Sequence, residues 1–220
     1  MYDYRDYCPI AKSAALLCER WTLLIVREML SGVAHFNALR RALPRISPSV
    51  LRDRLRTLEA HGVVMRRTAP DGRSVEYRLT QAGRDLEPVI VAMGRWGLRW
   101  GDATLAPEDL NADVLMRDIE RTLIVDALPS GRSILCFKFD DAPNRSWFLV
   151  VDEGRVELCD EDRAFDVDVY VVTSLEALTE LWLGRVSHGQ LLGSNRLKLV
   201  GAAPYARTFA AWLGRSPLLS

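Results

Sequence analysis

Residues 46–59 constrain this chain most. Leu51, Leu55 and Leu58 recur at the i, i+4, i+7 spacing of one helix face, so they form a stripe that must pack against something. Turning about 100° per residue from Leu51, Ser49, Arg52, Asp53 and Arg56 point broadly away from that stripe. Ser47 is placed to cap the N-terminus, and Pro48 falls in the first turn, where a missing N–H costs nothing. A helix anchored from behind, with guanidinium groups and a short hydroxyl in front, suits a DNA major groove. Taken alone, the pattern better describes an ordinary amphipathic helix with a solvated charged face. The flanking sequence decides between them.

Upstream, residues 10–19 read as a first helix entered from Cys8 and Pro9, and residues 21–30 as a second, closed at Ser31 and Gly32. Residues 36–43 form a third, shorter helix with Phe36, Leu39 and Leu43 on one face, stopped by Pro44. A four-residue turn then enters the basic helix, which ends at His61 and Gly62, so the order is that of a helix-turn-helix. Downstream, residues 63–68 and 74–79 are β-prone runs around a turn signal at Asp71 and Gly72. This hairpin reads as a wing, with Arg66, Arg67 and Arg73 set near the adjacent phosphates or minor groove. A long helix is expected over 81–100, its apolar surface made by Leu86, Ile90, Met93, Trp96, Leu98 and Trp100. That surface needs a partner, either its own domain or a second subunit.

Charge separates the two halves. The chain of 220 residues is formally neutral, but residues 1–100 hold 17 Lys+Arg against 10 Asp+Glu, a net +7, and residues 101–220 hold 12 against 19, a net −7. A polyanion partner is therefore expected for the first half only. No apolar run reaches membrane-spanning length and the N-terminus lacks the order of a signal peptide, so a cytoplasmic protein with no membrane partner is expected. Cys8, Cys18, Cys136 and Cys159 have no metal-ligand spacing, and His35, His61 and His188 are scattered; neither metal nor cofactor is implied.

Residues 101–111 read as a connector, which divides the chain into domains at 1–103 and 112–220. The second half reads as a helix over 110–128, strands at 133–139, 146–151, 154–159 and 167–173, helices at 175–183 and 187–192, a strand at 196–200 and a helix at 204–213. Period-2 alternation is clear: Leu135, Phe137 and Phe139 share one face, as do Trp147, Leu149 and Val151, and Val167, Val169 and Val171. The fold class is α+β, a winged helix-turn-helix followed by a five-stranded sheet covered by helices. No Ser/His/Asp or Cys/His grouping stands out, so no enzyme is expected.

The first hundred residues resemble the HxlR family of bacterial winged-helix transcription regulators. The resemblance runs through Cys8-Pro9, the run from Glu19 to Ile25, Phe36 to Leu39, Ile46 to Leu51, Arg54 to Glu59, and Tyr77 to Thr80 before Gly83. Cys18, His35 and Arg45 depart from the residues the family often has. The resemblance implies a homodimer that binds a pseudo-palindromic operator in double-stranded DNA. Ser47, Ser49, Arg52 and Arg56 would contact DNA from the helix, and Arg66, Arg67 and Arg73 from the wing. It also makes Cys8 a candidate redox or electrophile sensor, against the alternative of an inert thiol.

Residues 112–213 look like a sterol-carrier-protein-type-2 domain, through Trp147, the run Asp166 to Val169 leading to Ser174, Leu175 to Gly184, Gly193, and Arg196 to Gly201. That resemblance implies a pocket for an apolar small-molecule effector, lined by Leu135, Phe137, Trp147, Leu149, Val169, Trp182, Leu183 and Leu192. The same side chains also describe a filled core. A sequence-specific transcription regulator governed by such an effector is the leading expectation. The alternative is a redox regulator acting through Cys8, with a structural C-terminal domain.

Overall fold

The computed structural model describes residues 4–68, 74–101 and 104–217. It divides into two compact units, 1–101 and 102–220.

The first unit is built from α1 (Pro9–Leu17), α2 (Thr22–Leu30), α3 (Phe36–Ala42), α4 (Pro48–Ala60), the antiparallel pair β1 (Val64–Thr68) and β2 (Val75–Leu79), α5 (Gln81–Arg84) and α6 (Glu87–Trp100). Its core gathers Ile25, Val26 and Met29 of α2, Leu39 of α3, Leu51, Leu55 and Leu58 of α4, and Val63 and Val64. The three α4 leucines are essentially fully buried. At about 1.5–3 kcal/mol per buried leucine, this stripe is what fixes the helix to the unit. Gly83 is required by packing, since a Cβ there would collide with the Val63 carbonyl.

The expected single helix over 81–100 is interrupted. Pro88 has no N–H to donate to the Arg84 carbonyl, and its ring crowds that carbonyl, so α5 stops at Arg84 and α6 restarts with Pro88 in its first turn.

The second unit contains α7 (Ala112–Thr122), β3 (Ser133–Phe139), β4 (Ser146–Asp152), β5 (Arg155–Cys159), β6 (Val169–Thr173), α8 (Leu175–Trp182), α9 (His188–Gly193), β7 (Leu197–Gly201), α10 (Ala203–Arg207) and α11 (Phe209–Trp212). The sheet order is β5-β4-β3-β6-β7, with β3 and β6 parallel and the other neighbours antiparallel. Glu153 and Gly154, both at positive φ, make the two-residue turn between β4 and β5.

One sheet face (Leu135, Phe137, Phe139, Trp147, Leu149, Val151, Val169, Val171) packs with Met116 and Ile119 of α7, Leu178 of α8, Phe209 and Trp212. On the other face, Ile134, Cys136, Phe148 and Cys159 form a smaller cluster with Phe165 and Tyr170. Two expected helices are shorter than their apolar pattern. The one expected over 110–128 ends at Thr122, because the Ile124 N–H is taken by the Trp212 carbonyl. The one expected over 204–213 breaks at Thr208, where the backbone leaves helical geometry at φ −99° and ψ 10°. Among the described residues no helix is long and apolar enough to cross a membrane.

Candidate nucleic-acid interface

Helix α4 begins as its sequence requires. The Ser47 hydroxyl accepts the Val50 N–H at 3.3 Å and lies 3.1 Å from the Ser49 hydroxyl, and Pro48 occupies the first turn. Behind the helix is the leucine stripe; in front, Ser49, Arg52, Asp53 and Arg56 are exposed. The exposed arginines are not equivalent. The Arg52 guanidinium lies over the Phe36 ring of α3 at 5.9 Å, whereas Arg56 Nη1 donates to Asp53 Oδ1 at 3.2 Å. Arg54 instead braces the helix. Its Nη2 donates to Glu19 at 2.7 Å and its Nε to the Arg20 carbonyl at 3.1 Å, tying α4 to the segment between α1 and α2.

Arg66 and Arg67 are exposed on β1, opposite Tyr77 and Glu76 of β2. Arg73, expected on the wing, lies outside the described residues. The hairpin is joined to the helices by a link that sequence reasoning missed. The Tyr77 N–H donates to the Ala34 carbonyl at 2.8 Å, and His35 bridges to Glu76, which also pairs with Arg78 at 2.8 Å. The extended residue before α3 thus borders the wing. Only His35, an expected departure from the family pattern, marked this stretch in the sequence.

Neither α1 nor α6 has a fully buried residue, and α6 carries a second exposed surface. Tyr7, Ile10, Val89, Met93, Trp96 and Trp100 are exposed, and Pro88, Val89, Ala92, Met93 and Trp96 line an open hollow of ≈ 550 Å³. Scattered exposed apolar residues are ordinary, but the run Val89, Met93, Trp96 and Trp100 along one face of α6 is a patch with two tryptophans, and that is not.

Cys8 is half-buried at the start of α1, its backbone N–H donating to Asp6, and Cys18 is exposed at the other end. Cys136 and Cys159 are buried in the second unit. Burial pushes the Cys136 thiol up to about 11 and also raises that of Cys159, where Glu157 adds to the effect, so both stay protonated and poorly reactive near neutral pH.

Of the residues expected to line an apolar pocket, Leu135, Phe137, Trp147, Leu149 and Val169 lie in the packed interior. Around them the aromatic rings interlock: Phe139 and Trp147 are 5.0 Å apart, Phe137 and Trp212 6.4 Å. Trp182 and Leu183 are partly exposed and Leu192 is exposed. The Trp147 indole donates to Asp113 at 2.9 Å, and Arg145 grips the same carboxylate from outside.

A capped helix held by three leucines with arginines outward, preceded by a short helix and followed by a two-stranded hairpin, defines a winged helix-turn-helix DNA-binding protein. Residues 16–105 match the HxlR-like helix-turn-helix family and residues 126–214 match the SCP-2 sterol transfer family. The chain is 40% identical over 100 residues to the HTH-type transcriptional regulator sll1512 of Synechocystis, spanning 45% of this chain and 74% of that protein. It is 37% identical over 99 residues to the HTH-type transcriptional regulator YvaP of Bacillus subtilis, spanning 44% of this chain and 92% of that one. Among solved structures, the reduced form of the transcriptional regulator YodB from B. subtilis aligns at a TM-score of 0.41 with 31% identity, covering 46% of this chain and 100% of that one. The chain belongs to the HxlR-like helix-turn-helix family of transcriptional regulators and carries an SCP-2-like domain in its second half.

Proposed function

We propose that the protein is a homodimeric, sequence-specific regulator that lays α4 in the major groove and its wing against the flanking backbone. Ser49, Arg52 and Arg56 are assigned to base edges, Ser47 to helix capping and phosphate contact, and Arg66, Arg67 and Arg73 to phosphates. The observation that carries this reading is the division of α4 into a buried leucine face and an exposed Ser/Arg face. The α6 surface is assigned to the second copy. A two-fold dimer reads inverted half-sites about one helical turn apart. Selection from random duplex DNA tests the assignment. Enrichment of an inverted repeat by the wild type, with the preference relaxed at one position per half-site in Arg52→Ala and in Arg56→Ala, is the expected result. No enrichment by the wild type would overturn it.

The second unit is assigned to an apolar small-molecule effector, a reading supported by the SCP-2 match and by Trp182, partly exposed and packed against the apolar interior. Such a ligand regulates only if it prefers one arrangement of the two recognition helices. Native mass spectrometry of the purified protein, before and after denaturation, is expected to show an added mass that denaturation releases. A clean native mass after incubation with fatty acids and sterols would contradict this assignment. The competing reading is a thiol switch at Cys8, favoured by the partial exposure of that residue; it requires oxidant-sensitive DNA binding that Cys8→Ser abolishes.

A further inference from the structure

Opposite the leucine stripe of α4, the outermost line of side chains is Ser49, Asp53 and Arg56, and Asp53 is its odd member. A carboxylate in the middle of a surface offered to a polyanion opposes binding wherever it nears phosphate. It does not hold the fold together either, because Asp53 and Arg56 are 63% and 69% exposed and a solvated i,i+3 pair adds little to stability. What the pair does fix is direction. With Arg56 Nη1 donating to Asp53 Oδ1 at 3.2 Å, the contact engages Nη1 and leaves the Nε–Nη2 edge of the guanidinium unused by Asp53. Its two parallel N–H groups match O6 and N7 of a guanine. Arg52, also assigned to a base edge, has a different neighbour, the Phe36 ring at 5.9 Å.

We propose that Asp53 is a positioning residue that sets sequence specificity, orienting Arg56 toward one guanine per half-site while its charge disfavours sequence-independent engagement of phosphates. The inference rests on the assignment of α4 as the DNA-reading helix. Both effects serve discrimination, since specificity is a difference of affinities and grows when wrong sites are penalised.

The test compares wild type, Asp53→Asn, Asp53→Ala and Arg56→Ala in selection from random duplexes and in titration against one random-sequence duplex. Asn keeps the acceptor and removes the charge; Ala removes both. Both Asp53 variants are expected to bind the random duplex more tightly. In Asp53→Ala the preference for one guanine per half-site should fall about fivefold or more, at the position that Arg56→Ala also loses, and Asp53→Asn should retain it. An Asp53→Ala profile identical to that of the wild type, with unchanged affinity for the random duplex, overturns this inference alone. A wild type that enriches no sequence overturns the assignment of α4 as well. All four proteins should melt alike because the substituted side chains are exposed, and circular dichroism checks this.

Discussion

Single side chains in this protein do unlike work with like chemistry. Arg54 and Arg56 are two positions apart on one helix, yet Arg54 is turned inward onto Glu19 and the Arg20 carbonyl while Arg56 faces out. The difference follows from their angle to the leucine stripe, not from residue type. Asp113 and Glu120 make the same point in α7. Burial works against the charge of Asp113, but the Trp147 indole N–H and the nearby Arg145 outweigh it and hold the carboxyl below the usual aspartate range. For Glu120 burial wins over the Leu158 N–H and the nearby arginines, and its pKa is raised. The linkage signs are therefore opposite. Asp113 stabilises the fold at neutral pH, and that contribution is lost as pH falls through its lowered pKa. The ionised Glu120 costs stability, which is recovered as pH falls through its raised pKa. Asp113→Asn is thus expected to melt earlier than wild type at pH 7, with the gap closing below about pH 4. A gap independent of pH in thermal melts from about pH 7 to about pH 3 would contradict this.

At the scale of elements, α4 depends on its cap and its stripe together. Ser47→Ala removes the acceptor for the Val50 N–H and should cost about 1 kcal/mol, measurable by urea unfolding. Leu55→Ala should cost about 2–5 kcal/mol, because the residue is essentially fully buried. An equal effect of the two substitutions would contradict the division into cap and core.

The same elements show what a sequence reveals. The stripe of α4 and the alternation within β3, β4 and β6 are local patterns, and a local pattern can be read directly, but Val167, expected on the face of Val169 and Val171, precedes β6 and packs with the opposite cluster. The break between α5 and α6 was also local: Pro88 marks it, but the apolar run on both sides hides it. The early end of α7 is different, because it depends on a carbonyl contributed by Trp212, far along the chain. The join of His35 and Ala34 to the wing and the inward turn of Arg54 are likewise long-range, and no spacing rule encodes them. Side chains of the expected apolar pocket were identifiable as apolar but not as interior, since a core and a cavity lining share one alphabet.

The whole molecule combines a basic winged unit that carries an exposed apolar face on α6 and an acidic second unit. The assigned dimer makes Trp96→Glu a direct probe, because this substitution puts a charge where a second copy would bury an indole. The variant is expected to run as a monomer in sedimentation velocity and to bind operator DNA at least about tenfold more weakly, as loss of the paired half-site implies. A wild-type monomer, or a Trp96→Glu dimer, would contradict the seam.

A helix that reads and a wing that holds are separated most sharply by fluorescence anisotropy of the selected operator against salt concentration, for wild type, Arg56→Ala and Arg67→Ala. A steep fall of log K with log salt is expected for the wild type, at about −0.9 per phosphate contacted. Arg67→Ala should flatten that slope by about one per wing without changing the preferred sequence, and Arg56→Ala should relax the preference while leaving most of the slope. Affinity that is insensitive to salt, or arginine variants that all lose binding to operator and random DNA by the same factor, would contradict that division between helix and wing.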